Sequence, residues 1–374
     1  MKERITEAPL INLREEKRRI LLLPGIVILA VLVGGVTVSL LDTGLYNPPP
    51  VRLSRVLDGS WIAEYQARYE DELPIRSFAR TVWGVIRYAL FREGEDGVLV
   101  GSEDWLFTTE EFTCHSEADE RMRESADYIR RVRDRLAEKG IRLVVLIVPA
   151  KARVYPEKLG RYEYPSCLER RYAAFCKTIR GLDIPVPNTL RMLKSAKKDG
   201  VPFLRTDTHW SPYGVDMVAR GVSSEVLPIL EEESIERNNY SRENGDEVVH
   251  RGDLLKFLPL GPFADTLGPE PDRVVTRTTV KPDESDGGLF GDLSTPAVLV
   301  GTSYSAGSLW DFKGALEAAL DVDVLNSSTE GEGPFIPMRD FLEEIRDRDD
   351  INFSVVLWEI PERYVTDFSL EGTP

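Results

Sequence analysis

Three uncharged apolar runs, Leu143 to Val148, Ala297 to Val300 and Val355 to Trp358, constrain this chain most. A strand with one wet face alternates polar and apolar side chains, whereas a continuous run suits a parallel strand buried on both faces. Helical patterns separate the runs. Met122, Ile129, Val132 and Leu136 form a stripe that stops at Gly140. Further helices are expected from Cys167 to Ile179, Thr189 to Ala196, Pro212 onwards, after the Ala297 strand through Leu320, and Pro337 to Arg348. With a short strand at Asp323 to Leu325, this alternation predicts an α/β domain on a largely parallel sheet. Upstream, Ser60 to Asp71 and Phe78 to Phe91 read as helices, and Gly97 to Gly101 with Trp105 to Phe107 as short strands around a turn. The polar stretch from Glu231 to Glu247 reads as a mobile surface excursion.

A second constraint lies near the start. Ile20 to Leu41 carries no charge over 22 residues, long enough to cross a hydrocarbon core roughly 30 Å thick. Lys17, Arg18 and Arg19 precede it, so the positive-inside bias keeps residues 1–19 cytoplasmic and exports everything after Leu41. The run is longer than a signal-peptide core and no small-x-small site closes it, so an uncleaved single-pass anchor in the cytoplasmic membrane is expected. Residues 42–57, with Pro48, Pro49 and Pro50, read as a stiff linker, and 58–374 as one extracytoplasmic domain with a helical N-terminal extension. The whole chain has a net charge of −16, and six basic against four acidic groups in residues 1–41 leave the exported part at −18. That surface argues against a nucleic-acid partner. A polyanionic glycan would need a locally basic groove on it, and a neutral glycan would not.

Of the three cysteines, at least one is left without a partner inside the chain. Cys167 and Cys176 lie nine apart across an expected helix, which leaves Cys114–Cys167 and Cys114–Cys176 both open. No Cys-x-x-Cys pair or histidine cluster suggests zinc, so no metal or cofactor is expected.

The candidate chemistry sits in two segments. Ser303 follows the Ala297 to Val300 strand at a turn that Gly301 permits, the place where functional groups collect in an open α/β sheet. Asp207-Thr208-His209 supplies a carboxylate and an imidazole on one face if the segment is extended. Together they hold a nucleophile, a base and an orienting carboxylate, the parts of a serine acyl-transfer site. Each segment taken singly has a plainer reading. Ser303 or Ser305 can cap the helix that follows, and Asp207 or Ser211 the next one.

The flanking sequence resembles a known family. Thr206-Asp207-Thr208-His209-Trp210-Ser211 and Val300-Gly301-Thr302-Ser303-Tyr304-Ser305 are similar to motifs of the alginate O-acetylation proteins of the AlgJ and AlgX type. So are Gly101-Ser102-Glu103-Asp104-Trp105-Leu106-Phe107, Val148 through Lys151, Arg153 and Pro156, Trp358 through Tyr364, and Asp58 through Arg76, all in family order. The resemblance implies an SGNH-hydrolase-like three-layer fold in permuted order, with the Asp/His segment before the serine. It implies Ser303 as nucleophile, His209 as base and Asp207 as its partner. It further implies acetyl transfer to a secreted polysaccharide, with a polytopic membrane-bound O-acyltransferase as donor. The single anchor resembles the AlgJ arrangement, while the acidic exported domain does not favour an alginate-like acceptor. An esterase with the same three residues, and a non-catalytic glycan-binding or assembly subunit, are the alternatives. Tyr304, Trp105, Lys151 and Arg153 are candidate substrate contacts, and Glu359 with Arg363 reads as a structural ion pair.

Overall fold

The computed structural model describes residues 29–30, 32–35, 37, 50–72, 74–281, 295–348 and 352–370. It divides into two compact units, 1–86 and 87–374. The expected cytoplasmic tail and most of the anchor over Ile20 to Leu41 lie outside the described residues. Among the described residues no helix is long and apolar enough to cross a membrane. The first unit contains the helices Leu53–Leu57, Ser60–Glu72 and Pro74–Ile86, so part of the expected linker is helical.

The second unit is an α/β domain. Its strands among the described residues are β1 (Val98–Val100), β2 (Leu106–Thr108), β3 (Arg142–Val148), β4 (Ser241–His250), β5 (Asp272–Val280), β6 (Ala297–Val300), β7 (Val324–Asn326) and β8 (Val355–Pro361). The central sheet has the order β3-β8-β6-β7 and every pairing in it is parallel. Strand alternation sends Val144, Leu146, Val148, Leu299 and Leu357 to one face, where they pack with Trp210, Phe312 and the helix Pro212–Glu232. Leu143, Val145, Ile147, Val298, Val300 and Trp358 go to the other, against the helices Ala118–Glu138, Arg171–Arg180 and Phe335–Glu344. Both faces are covered, and this is why the strands read as unbroken apolar runs. Burying Val298, Leu299 and Val300 contributes about 1.5–3 kcal/mol each and fixes the strand end that carries Ser303.

β1 and β2 pair antiparallel, as their spacing suggested. The polar stretch ending at Glu247 is not an excursion over its whole length. From Ser241 it forms β4, which pairs antiparallel with β5 through a bulge between Asn244 and Glu247. The ribbon is mostly solvent-exposed, so no apolar alternation marked it. Cys114 is bonded to Cys167, with Cα atoms 6.3 Å apart, and Cys176 is the buried free thiol.

Candidate active site

β6 delivers the serine. Gly301 lies so close to β8 that a Cβ there would stand 2.5 Å from Glu359 Oε2 and 2.8 Å from Ser305 Oγ, so only glycine lets the turn approach. Thr302 caps the short helix Ser303–Ala306, its hydroxyl accepting from Tyr304 N at 3.3 Å. Glu359, fully buried near the end of β8, accepts from Thr302 N (2.8 Å), Thr302 Oγ1 (3.0 Å) and Ser305 Oγ (3.1 Å). Burial raises the Glu359 carboxyl against the lowering effect of those hydrogen bonds. Thr302 thus does the capping and Ser305 is tied to Glu359. Ser303, half-buried, keeps its Oγ for another partner, and its N–H meets no acceptor among the described residues.

That partner is His209, whose Nε2 lies 2.7 Å from Ser303 Oγ. Asp207 is not in an extended strand. Its Oδ1 accepts from His209 N at 2.9 Å and lies 2.7 Å from His209 Nδ1, so an Asx turn brings carboxylate and imidazole together. The turn sits in a tight loop closed by the Phe203–Trp210 bridge and by Ser211 N donating to Pro202 O. Ser211 accepts from Gly214 N and caps the next helix, which frees Asp207 from that task. The imidazole is wedged between rings. Trp310 stacks on it at 4.3 Å and 15°, and Tyr304 lies 4.7 Å away. Trp310 Nε1 also donates to Ser303 O at 3.1 Å, coupling base and serine.

A second imidazole stands on the far side of the carboxylate. His250 Nε2 lies 2.7 Å from Asp207 Oδ2, which also accepts from Asp253 N at 3.0 Å. Gly252 makes this possible, because a Cβ there would collide with the Thr206 carbonyl. Burial would raise the Asp207 carboxyl, but the bonds from His209 and His250 outweigh it and hold it well below the usual carboxylate range. Asp207, His209 and Asp253 are also the one group among the described residues with possible metal-ligand atoms all within 4.8 Å. Those side chains are already committed to hydrogen bonds, since Asp253 accepts from Thr208 N and Oγ1. The set therefore reads as a bonded acid–base array anchored on both sides of one carboxylate. Chemically, it can draw a proton from Ser303 Oγ and hold the resulting positive charge.

A family model described as "SGNH hydrolase-like domain, acetyltransferase AlgX" matches residues 98–362. The chain is 37% identical over 346 residues to "Probable alginate O-acetylase AlgJ" of Pseudomonas aeruginosa, covering 89% of this chain and 87% of that one. It belongs to the AlgJ/AlgX family. The AlgJ protein of Azotobacter vinelandii is 39% identical over 83% of this chain and 80% of its own length. Among solved structures, the "O-Acetyltransferase Domain of Pseudomonas putida AlgJ" superposes with a TM-score of 0.64 at 38% identity, covering 73% of this chain and 93% of that domain.

Within this AlgJ/AlgX-family domain the other candidate residues serve the protein itself. Tyr304 is buried and its hydroxyl donates to Thr208 O at 2.8 Å, so it holds the Asp/His loop and offers substrate no surface. Lys151 does not line the site. Its buried Nζ donates to the carbonyls of Leu106 (2.6 Å), Arg205 (2.9 Å) and Asp207 (2.9 Å), and burial lowers its pKa to about 8. Arg153 is spent on Glu362, at 2.9 and 2.7 Å. Trp105 is 6% exposed and packs on Tyr155 at 4.2 Å, a core position. Arg363 pairs with Glu110 at 3.0 Å, so the expected Glu359–Arg363 pair gives way to Glu359 bracing the serine turn. Sequence reasoning missed the roles of His250, Glu359 and Trp310. Their signal is spatial, since each lies on a separate element from its partner or several residues along the chain.

Proposed function

We propose that this protein is an O-acetyltransferase acting on a polysaccharide through an acetyl-serine intermediate. The observation that carries the reading is the continuous contact from Ser303 Oγ through His209 to Asp207, at 2.7 Å on each side of the ring. In the first half-reaction His209 Nε2 takes the Ser303 proton as Oγ attacks the acetyl carbonyl, and the donor's leaving group departs with that proton. In the second, a glycan hydroxyl gives its proton to His209 as its oxygen attacks the acetyl-serine, and Ser303 regains a proton as it leaves. Asp207, held anionic, stabilises the imidazolium in both steps. The open Ser303 N–H, at the start of a helix, is suited to the developing oxyanion.

The similarity to AlgJ proteins named as probable alginate O-acetylases supports an alginate-type acceptor. For location, we read the uncharged run from Ile20 to Leu41 as the anchor and the domain as extracytoplasmic. The Cys114–Cys167 bridge supports that reading, because such bonds persist in oxidising compartments. A polytopic membrane-bound O-acyltransferase is the proposed donor. The test is incubation of the full chain with an activated acetyl ester and an oligouronate. Acetylated glycan that disappears in Ser303→Ala supports the transferase. Free acetate alone makes the protein an esterase, and glycan binding without any turnover makes it an assembly subunit.

A further inference from the structure

Apolar surface is divided unevenly between the two units. Among the described side chains of the first unit no hydrophobic one is buried, whereas the second unit packs two apolar clusters around its sheet. A helix normally buries its apolar face against a neighbour, and a contiguous face left exposed marks an interaction site. In the first unit the exposed side chains include Leu53 and Leu57 on the helix Leu53–Leu57, and Phe78, Val82, Trp83 and Ile86 on the helix Pro74–Ile86.

The helix Pro74–Ile86 is two-sided. At 3.6 residues per turn Phe78, Val82, Trp83 and Ile86 fall within an arc of about 140°. Phe78 is 68% and Trp83 58% exposed. Arg76 stands at the rim of that arc, and Ser77 and Arg80 lie beyond it. The chain carries −16, yet this helix has two guanidinium groups and no acidic residue. A basic polar face with tryptophan and phenylalanine on the other side is the pattern of a helix that lies in a lipid interface.

The place of the helix in the chain names the occupant. Leu41, where the uncharged run ends, precedes Leu53 by twelve residues, a tether of at most about 40 Å. With that run read as the anchor, the unit is held at the bilayer surface at high effective concentration. We infer that Pro74–Ile86 is an interfacial helix, with Phe78, Val82, Trp83 and Ile86 at the acyl boundary of an anionic leaflet and its arginines among the headgroups. The inference goes beyond acetyl transfer and rests on the anchor reading. An arginine at the rim of the apolar arc suits this position, since its stem can lie along apolar surface while its head stays in water.

The experiment reconstitutes the full chain in vesicles of phosphatidylethanolamine and phosphatidylglycerol. An environment-sensitive fluorophore is attached to Val82→Cys or, on the opposite face, to Ser77→Cys. The native chain offers no competing thiol, because Cys114 and Cys167 are bonded and Cys176 is buried. Expected is several-fold stronger quenching by brominated lipid at position 82 than at position 77, weakening at 82 when phosphatidylcholine replaces the anionic lipid. Carbonate extraction reports the anchor separately. A chain that carbonate strips from the vesicles overturns the anchor reading and this inference with it. In a retained chain, equal quenching at both positions, or quenching at 82 indifferent to the anionic lipid, overturns the inference alone. So does a shielded fluorophore at 82 without quenching, which assigns the face to a protein surface.

Discussion

Replacing His250 with glutamine tests whether Asp207 is braced from both sides. His250 Nε2 lies 2.7 Å from Asp207 Oδ2 and its side chain is 25% exposed. A hydrogen bond between charged groups contributes about 1.5–3 kcal/mol, and partial exposure places this one at the low end, about 1.5 kcal/mol. For a unit of this size that is a fall in Tm of about 2 °C. The pH dependence is the sharper signature. The Asp207 hydrogen bond, supported by the charges of Asp272 and Asp253, raises the His250 pKa above its ordinary 6.5. A raised folded pKa gives stabilisation that is complete below the unfolded value and lost as pH rises through the folded one. Asp207 stays ionised across that window, because its own carboxyl is held far lower. Urea unfolding of His250→Gln and the parent should therefore differ by about 1.5 kcal/mol near pH 5.5 and converge as pH rises through the raised His250 pKa. Acetyl transfer should fall as well, since the Asp207 carboxylate loses one of its anchors. A stability difference that stays constant or grows with pH would refute the reasoning.

Glu359→Gln should lower acetyl transfer steeply with an unchanged far-ultraviolet dichroism spectrum, because an amide N–H₂ then faces the Thr302 and Ser305 donors at a cost of about 1–3 kcal/mol. Lys151→Met should cost about 3–5 kcal/mol in urea unfolding, since it strands three buried carbonyls, one of them that of Asp207. Replacing Cys114 and Cys167 by serine should cost about 4 kcal/mol from the loop-closure entropy of a 53-residue separation. Titration of the unfolded, unreduced parent chain, with all three cysteines in place, should find a single thiol, that of Cys176.

The central sheet was legible because both of its faces are buried. Leu143 to Val148 and Val355 to Trp358 had no solvent face on which to show a polar residue. β4 and β5 were not legible for the opposite reason, since they form an exposed ribbon held mainly by backbone hydrogen bonds. At the site, Asp207, His209 and Ser303 could be picked from local spacing and from resemblance. The geometry behind them was not visible, because an Asx turn replaces the extended segment assumed for Asp207 and His209. His250 contacts Asp207 across 43 residues and Glu359 contacts Thr302 across 57, distances over which one sequence carries no pairing signal. Lys151 and Arg153 misled for a related reason. A charged residue after a buried strand points equally well to a cleft or to carbonyls and carboxylates inside the protein.

The central claim is that Ser303 carries the acetyl group. The direct measurement is mass spectrometry of the peptide containing Ser303 and Ser305, after acid quenching of the full chain mixed with an activated acetyl ester. The account predicts one added acetyl group on Ser303, lost in Ser303→Ala and in His209→Ala, and retained in Ser305→Ala. Acetylation on Ser305, or acetyl transfer to glycan that persists in Ser303→Ala, would contradict it.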